Sequence, residues 1–84
     1  MEKITDTPQE HGIFKVGQVW EARDDPYCLW KGAAELTAIR RWSDGLWDAE
    51  FKAQCEICYV KLSDLTRKDP DTNQPFYRYT GMVS

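Results

Sequence analysis

The chain's clearest metal-type spacing belongs to two cysteines, Cys55 and Cys58, which are three positions apart. A Cys-x-x-Cys pair can present two thiolates to one Zn²⁺, and a structural zinc site needs four ligands. The sequence offers only Cys28 and His11 to complete such a set. We therefore interpret the cysteines as small, partly buried thiols without metal or cofactor. Zinc bound by Cys28, Cys55, Cys58 and His11 is the alternative.

No group in the sequence is arranged for acid–base or nucleophilic catalysis. His11 is the single histidine and belongs to a polar segment, whereas general acid–base chemistry needs a group held against a partner. Ser43 and Ser63 stand in turn sequences without a nearby base, and there is no glycine-rich phosphate loop. We expect a protein that is not an enzyme.

Aromatic residues carry the strongest functional signal. Four Trp, four Tyr and three Phe occur among 84 residues. A domain this small buries only about 60% of its unfolded surface, so it cannot cover every ring. Trp, Tyr and Arg are enriched at the energetic centres of protein interfaces. The sequence predicts an exposed patch that binds a protein partner or a second copy of the chain, formed by Tyr27, Trp30 and Trp42 as anchors with Arg40 and Arg41 as hydrogen-bond donors.

The charge balance argues against electrostatic binding to nucleic acid. Eleven basic and 14 acidic side chains give a net charge of −3, and nucleic-acid binders usually carry a basic excess. One alternative is still a nucleic-acid module that combines the same aromatic rings with Lys31 and Arg67. Another is a small acidic inhibitor or regulator of a larger complex. The chain lacks an apolar run that could cross a membrane or form a signal peptide, which predicts a cytoplasmic protein.

The elements that would position these residues are short β-strands. Residues 1–13 are predicted to form a polar tail that is loose or lightly docked, and residues 14–84 a single domain. Runs with strand character, separated by turn signals, predict an all-β fold of five strands. These runs cover residues 18–23, 34–42, 47–52, 57–62 and 76–83.

The dipeptide Asp44-Gly45 predicts a tight hairpin between the second and third strands, because both residues tolerate positive φ. In the second strand, Leu36 and Ile39 can share one face only if a bulge lies between them, because strands alternate with period two. A helix is the alternative for this segment, whose apolar residues also fit a helical stripe.

In the third strand, Trp47, Ala49 and Phe51 alternate with charged residues, which predicts one buried and one wet face. The wet face carries Asp48 and Glu50, and we expect these carboxylates to pair with Arg40-Arg41 across the hairpin.

Several short motifs resemble the SH3-like small barrel, in particular its Tudor-like group. They are Val16-Gly17-Gln18-x-Trp20-x-Ala22, Ala34-x-Leu36-x-x-Ile39, Ser43-Asp44-Gly45 and Val60-Lys61-Leu62-Ser63-Asp64-Leu65. The resemblance covers about residues 14–66 and implies a five-stranded barrel that acts as a binding module.

Some Tudor-like domains bind methylated Lys or Arg in an aromatic cage, which attracts the cation by its ring faces. Tyr27, Trp30 and Phe51 stand in regions that supply such walls. Residues 52–56 contain no aromatic side chain, and Ala33 stands where those readers often carry a ring. The resemblance therefore implies a binding module with an incomplete cage.

Overall fold

The computed structural model describes residues 2–24, 26–54 and 56–82 of the chain. These residues form eight β-strands and one short helix: β1 (Ile4–Asp6), β2 (Glu10–His11), β3 (Phe14–Lys15), β4 (Gln18–Ala22), β5 (Gly32–Trp42), β6 (Trp47–Lys52), β7 (Ile57–Lys61), α1 (Leu62–Leu65) and β8 (Tyr77–Met82). The prediction of an all-β fold is confirmed. The predicted count of five strands is wrong, because β1, β2 and β3 form in the first 15 residues, where the sequence shows no alternating pattern.

Six of the strands form one sheet. Its order is β7-β6-β5-β4-β8, with β1 beside the C-terminal end of β5, while β2 and β3 form a separate hairpin. Within the described part of the chain, β7 and β8 end this order and do not pair with each other. The predicted closure into a barrel is therefore not found. The chain passes from β7 to β8 through α1 and a loop whose strand-like contact is a single bridge, between Lys68 and Pro75.

The five strands of the main order lie where the sequence predicts strands. β5 is a strand of 11 residues, so the helix alternative for this segment is wrong. The predicted bulge is confirmed, since the register of β5 against β6 shifts between Leu36 and Ala38. As a result Leu36 and Ile39 both reach the core, where each is 0% exposed.

The hairpin between β5 and β6 is also confirmed. The Trp42 N–H donates to the Leu46 carbonyl at 2.8 Å, and the Gly45 N–H donates to the Trp42 carbonyl at 2.9 Å. Gly45 has a φ of 88°, in the left-handed region that a glycine enters without a side-chain clash. The Leu46 N–H also donates to the Asp44 carboxylate at 3.0 Å.

The N-terminal segment is tied to this hairpin. The Lys3 carbonyl accepts the Ser43 N–H at 2.7 Å, and the Lys3 N–H donates to the Ser43 hydroxyl at 3.1 Å. β1 then continues beside β5, with Ile4 opposite Trp42.

The core lies between the sheet, α1 and residues 26–31. Trp20, Phe51 and Phe76 are buried. Trp47, which the alternation of the third strand places on the buried face with Phe51, is only half-buried. The buried set also contains four alanines: Ala22, Ala34, Ala49 and Ala53. Such small side chains leave volume that large rings must fill, because protein interiors pack to near-crystalline density.

Candidate functional site

The predicted patch does not form one surface, because Trp30 belongs to the core. Its side chain is 3% exposed, and its ring centroid lies 4.7 Å from Phe51 and 4.8 Å from Tyr77. The indole N–H donates to the Gly32 carbonyl at 3.1 Å. The prediction of Trp30 as an exposed anchor is therefore wrong: the indole packs against the rings of Phe51 and Tyr77 instead of facing a partner.

Tyr27 is exposed but lies away from the hairpin. It is 77% exposed and meets the ring of Phe76 edge-on, with centroids 6.4 Å apart. Trp30 and Phe51, the other expected walls of a methyl-ligand cage, are 3% and 0% exposed and stack on each other. Of the three rings, only Tyr27 presents a face to a ligand.

The predicted ion pair across the hairpin is confirmed for Arg40 and Asp48. The Arg40 Nε donates to one carboxylate oxygen of Asp48 at 2.7 Å, and its terminal nitrogen donates to the other at 2.6 Å. Both side chains are 16% exposed. The hydrogen bond to Asp48 raises the pKa of Arg40 above its usual range, although partial burial acts in the opposite direction. The guanidinium therefore stays charged and fixed in a bidentate geometry.

Two aromatic rings lie beside the same guanidinium. Its central carbon is 4.3 Å from the Tyr59 ring centroid and 5.1 Å from that of Trp42. Cation–π contacts of this kind contribute about 0.5–2 kcal/mol, more when they are shielded from water. We call Arg40, Trp42, Asp48 and Tyr59 the outer-face cluster.

Strand register explains why these four residues meet. Arg40 is directly opposite Asp48, and Tyr59 is opposite Glu50, one diagonal step from Asp48. Side chains on diagonal positions stay within reach of aromatic rings. Residues two apart on a strand share a face, which places Trp42 beside Arg40.

Exposed apolar side chains continue the cluster in both directions. Ile4 is opposite Trp42 and 43% exposed, while Tyr59 and Ile57 on β7 are 49% and 56% exposed. Leu46 at the hairpin tip is 51% exposed and borders a depression of ≈ 180 Å³ that Trp42 also lines. The outer face therefore carries rings and aliphatic groups around a fixed charge.

Arg41 does not belong to this cluster, because neighbouring residues of a strand point to opposite faces. Its guanidinium lies 6.0 Å from the ring of Trp47, and that ring stacks on His11 with centroids 3.7 Å apart. The prediction that Arg40 and Arg41 act together on one patch is wrong. The His11 contact could not be predicted, since His11 lies in a segment without periodicity.

Asp48 and Tyr59 belong to the outer-face cluster but were not among the predicted site residues. A signal for both was present, because the alternation of β6 and β7 assigns Asp48 and Tyr59 to the wet face that also carries Arg40.

Cys28 and Cys58 lie at the opposite end of the sheet from His11. The Cys28 thiol contacts the Phe76 carbonyl at 3.5 Å, and the Cys58 thiol contacts the Leu29 carbonyl at 3.4 Å. Burial, with a contribution from Glu56, raises the pKa of Cys58, so this thiol remains protonated near neutral pH.

The alternative zinc site is contradicted by these positions. Cys58 is opposite Phe51, whereas His11 stacks on Trp47, four residues further along β6 or about 13 Å away. Cys55 lies outside the described residues. The rest of the described chain holds no group of three or more His, Cys, Asp or Glu side chains that could bind a metal.

Several cations are paired with carboxylates. Arg23 contacts Asp69 at 2.8 Å and Arg78 contacts Glu21 at 3.0 Å. Of the two cations considered for nucleic acid, Lys31 lies 3.9 Å from Asp24, and Arg67 lies over the Phe76 ring at 5.4 Å. The carboxylate contacts of Arg23, Lys31 and Arg78 reduce the positive potential available to a phosphate backbone.

Comparison with protein-family models, with curated proteins and with solved structures finds no match for this chain. In the described residues, no helix has the length and apolar character that crossing a bilayer requires.

Proposed function

We propose that this protein is a non-catalytic binding module with an SH3-like, Tudor-like strand arrangement, and that it engages a protein partner or a second copy of itself through the outer-face cluster. The observation that carries the proposal is the Arg40 guanidinium, which is held by Asp48 in a bidentate pair and flanked by the rings of Trp42 and Tyr59.

The strand arrangement supports the proposed resemblance. The five strands that the resemblance implies occur in the expected chain order and form one antiparallel ladder, β7-β6-β5-β4-β8. α1 follows β7 at Leu62–Leu65, where the motif starting at Val60 implies the end of the fourth strand.

The composition of the cluster supports a protein partner. Trp, Tyr and Arg dominate interface hot spots because they combine apolar area with directional hydrogen bonds. Here the Arg40 side chain is already ordered, so binding would not have to restrict its rotamers. The paired cations of the chain favour such a partner over nucleic acid. The thiol of Cys58 supports a cytoplasmic location, because a reducing compartment preserves thiols.

The test compares single substitutions on two exposed tyrosines with nearly equal accessibility. Tyr59 on the outer face is 49% exposed, and Tyr79 on β8 is 47% exposed. The immobilised protein is used to capture binding proteins from extract, and the retained proteins are quantified for the wild type, Trp42→Ala, Tyr59→Ala and Tyr79→Ala. Circular dichroism and urea unfolding verify that each variant is folded.

A specific partner should be retained by the wild type and by Tyr79→Ala. Its retention should fall about tenfold or more with Trp42→Ala and with Tyr59→Ala, as expected for hot-spot rings. A partner retained equally by all four proteins would show that the outer-face cluster is not the binding site. Binding that disappears on adding moderate salt would favour the nucleic-acid alternative.

A further inference from the structure

The exposed edge of β7 has backbone groups that no described residue uses. The Ala53 N–H donates to the Glu56 carbonyl at 3.0 Å, so residues 53 and 56 form a hydrogen-bonded pair across the β6–β7 turn. Hydrogen-bonded and non-hydrogen-bonded pairs alternate along antiparallel strands. The pairs Phe51–Cys58 and Ala49–Val60 are therefore hydrogen-bonded.

The remaining residues of β7 direct their backbone groups away from β6. These residues are Ile57, Tyr59 and Lys61. The other side of β6 confirms this alternation, because Glu50, which is opposite Tyr59, turns its carbonyl toward β5 and accepts the Thr37 hydroxyl at 3.1 Å. Lys61 is the N-cap residue of α1, so its carbonyl accepts the first backbone hydrogen bond of that helix. The N–H groups of all three residues and the carbonyls of Ile57 and Tyr59 remain available.

β7 is also the least protected edge of the described sheet. Proteins usually shield edge strands by shortening them or by adding proline, bulges and charges. β1 has three residues and a register shift, and β8 follows Pro75, contains Gly81 and pairs with β4 through a shifted register. β7 pairs with β6 through five consecutive residues without a shift. Of its three outward residues only Lys61 is charged, and Ile57 and Tyr59 are both about half-exposed.

We propose that two copies of this chain pair through β7, antiparallel and with Tyr59 on the two-fold axis. The inference deepens the proposed function, on which it rests, because it names a second copy as the partner of the surface that contains Tyr59. Pairing at an exposed edge uses main-chain hydrogen bonds for affinity and alternate side chains for specificity.

The two-fold arrangement makes the edge complementary to itself. Tyr59 of each copy exchanges two hydrogen bonds with Tyr59 of the other, and each Lys61 N–H donates to the opposite Ile57 carbonyl, which gives four hydrogen bonds. The two Tyr59 rings lie side by side on the outer face. Each exposed Ile57 packs against the aliphatic stem of the opposite Lys61.

Charge disfavours the neighbouring register that is centred on Lys61. The second copy would extend two rows of residues that are paired across β5, β6 and β7. These rows are Arg40–Asp48–Lys61 and Glu35–Lys52–Ile57. With Tyr59 on the axis, Lys61 meets an uncharged side chain of the other copy. A register centred on Lys61 would instead place two like charges directly opposite each other, which is destabilising.

Two measurements on the full chain test the proposal. Native mass spectrometry and light scattering over a range of concentrations should detect a dimer. Amide hydrogen exchange resolved by residue should then show a period-two change as the dimer forms. The amides of residues 59 and 61 should become protected, while those of Cys58 and Val60 should be protected at every concentration.

Two substitutions at one position separate the backbone from the side chain. Tyr59→Pro removes the outward N–H, and proline is tolerated on an edge strand where the N–H faces solvent. Tyr59→Ala removes the ring and keeps the N–H. We expect Tyr59→Pro to weaken dimerisation about tenfold or more beyond Tyr59→Ala, because two hydrogen bonds on the axis are lost.

The outcomes are distinguishable. A monomer at all concentrations, or a dimer without protection at residues 59 and 61, would overturn the pairing through β7. Equal dimerisation of the proline and alanine variants would overturn it as well. Neither result bears on the capture experiment, in which loss of a different partner with Trp42→Ala would still support the proposed function. If Tyr59→Pro does not fold, the exchange pattern of the wild type decides the matter alone.

Discussion

Two tryptophans of this protein have opposite environments. Trp30 is 3% exposed and lies between the rings of Phe51 and Tyr77, whereas Trp42 is half-buried and lies beside the charged Arg40 side chain. We call Trp30, Phe51 and Tyr77 the interior cluster. In the interior, ring contacts stabilise the fold. On the solvent-exposed face of a strand, they form a surface around a charged side chain.

The largest effect is expected from removing the last strand. Deletion of residues 75–84 removes Phe76 and Tyr77, which are 6% exposed each, and the strand that pairs with β4. The interior cluster would lose one of its three rings and the sheet would lose an edge. We expect the truncated chain to lose cooperative unfolding, measured by circular dichroism during a thermal scan. A truncated chain with unchanged unfolding would show that β8 does not support the core.

The second prediction compares the two tryptophans directly. Trp30→Ala should reduce the free energy of unfolding by about 3–5 kcal/mol, the usual range for a buried large ring. Trp42→Ala should cost about 1 kcal/mol, because surface and partly buried positions tolerate substitution better. Urea unfolding monitored by far-UV circular dichroism gives both values. Equal losses would remove the distinction between the interior and the outer-face cluster.

The sequence predicted the framework better than the site. Alternation identified inward residues of β5 and β6, because a two-sided sheet forces apolar side chains to one face. The bulge between Leu36 and Ala38 could also be predicted, since without it Ile39 would face water. β1 to β3 could not, because strands of two or three residues are too short to display a period.

The errors at the site have physical causes as well. Trp30 precedes Gly32 in a loop without periodicity, so nothing local indicates that its ring turns inward. Its burial depends on the rings of Phe51 and Tyr77, which pack against it and are distant in the sequence. By contrast, the Arg40–Asp48 pair follows from the hairpin register, which a local turn signal determines.

The third prediction tests the ion pair of the outer-face cluster. Asp48→Ala leaves the half-buried Arg40 guanidinium without its bidentate partner, and hydrogen bonds to charged groups contribute about 1.5–3 kcal/mol. Because both side chains retain some contact with water, we expect a loss of about 1–2 kcal/mol in the free energy of unfolding. Urea unfolding measures this loss.

A matched control uses the exposed pair of Arg78 and Glu21, in which the side chains are 69% and 47% exposed. Glu21→Ala should change the free energy of unfolding by less than about 0.5 kcal/mol, since exposed ion pairs contribute little. Equal effects of Asp48→Ala and Glu21→Ala would show that the outer-face pair is no better ordered than an ordinary surface pair.

The smallest effect concerns a second arginine that lies over a ring. Arg23 lies 4.8 Å from the Phe76 ring centroid and contacts Asp69 at 2.8 Å. The hydrogen bond from Arg23, with a further one from the Asp71 backbone, lowers the pKa of Asp69 below its ordinary value. Asp69 is therefore harder to protonate in the folded protein than in the unfolded chain.

The lowered pKa of Asp69 determines how the free energy of unfolding depends on pH. A carboxylate whose pKa is lower in the folded state contributes stability above its unfolded-state pKa, about 4, and loses it as the pH falls through the folded-state pKa. The stability difference between the wild type and Asp69→Asn should be constant from neutral pH down to about pH 5 and then shrink on further acidification. Urea midpoints measured over this range give the difference. A difference independent of pH would mean that Asp69 contributes to stability through its hydrogen bonds and not through its negative charge. Of the two arginine–ring arrangements, only that of Arg40 with Asp48 would then depend on charge.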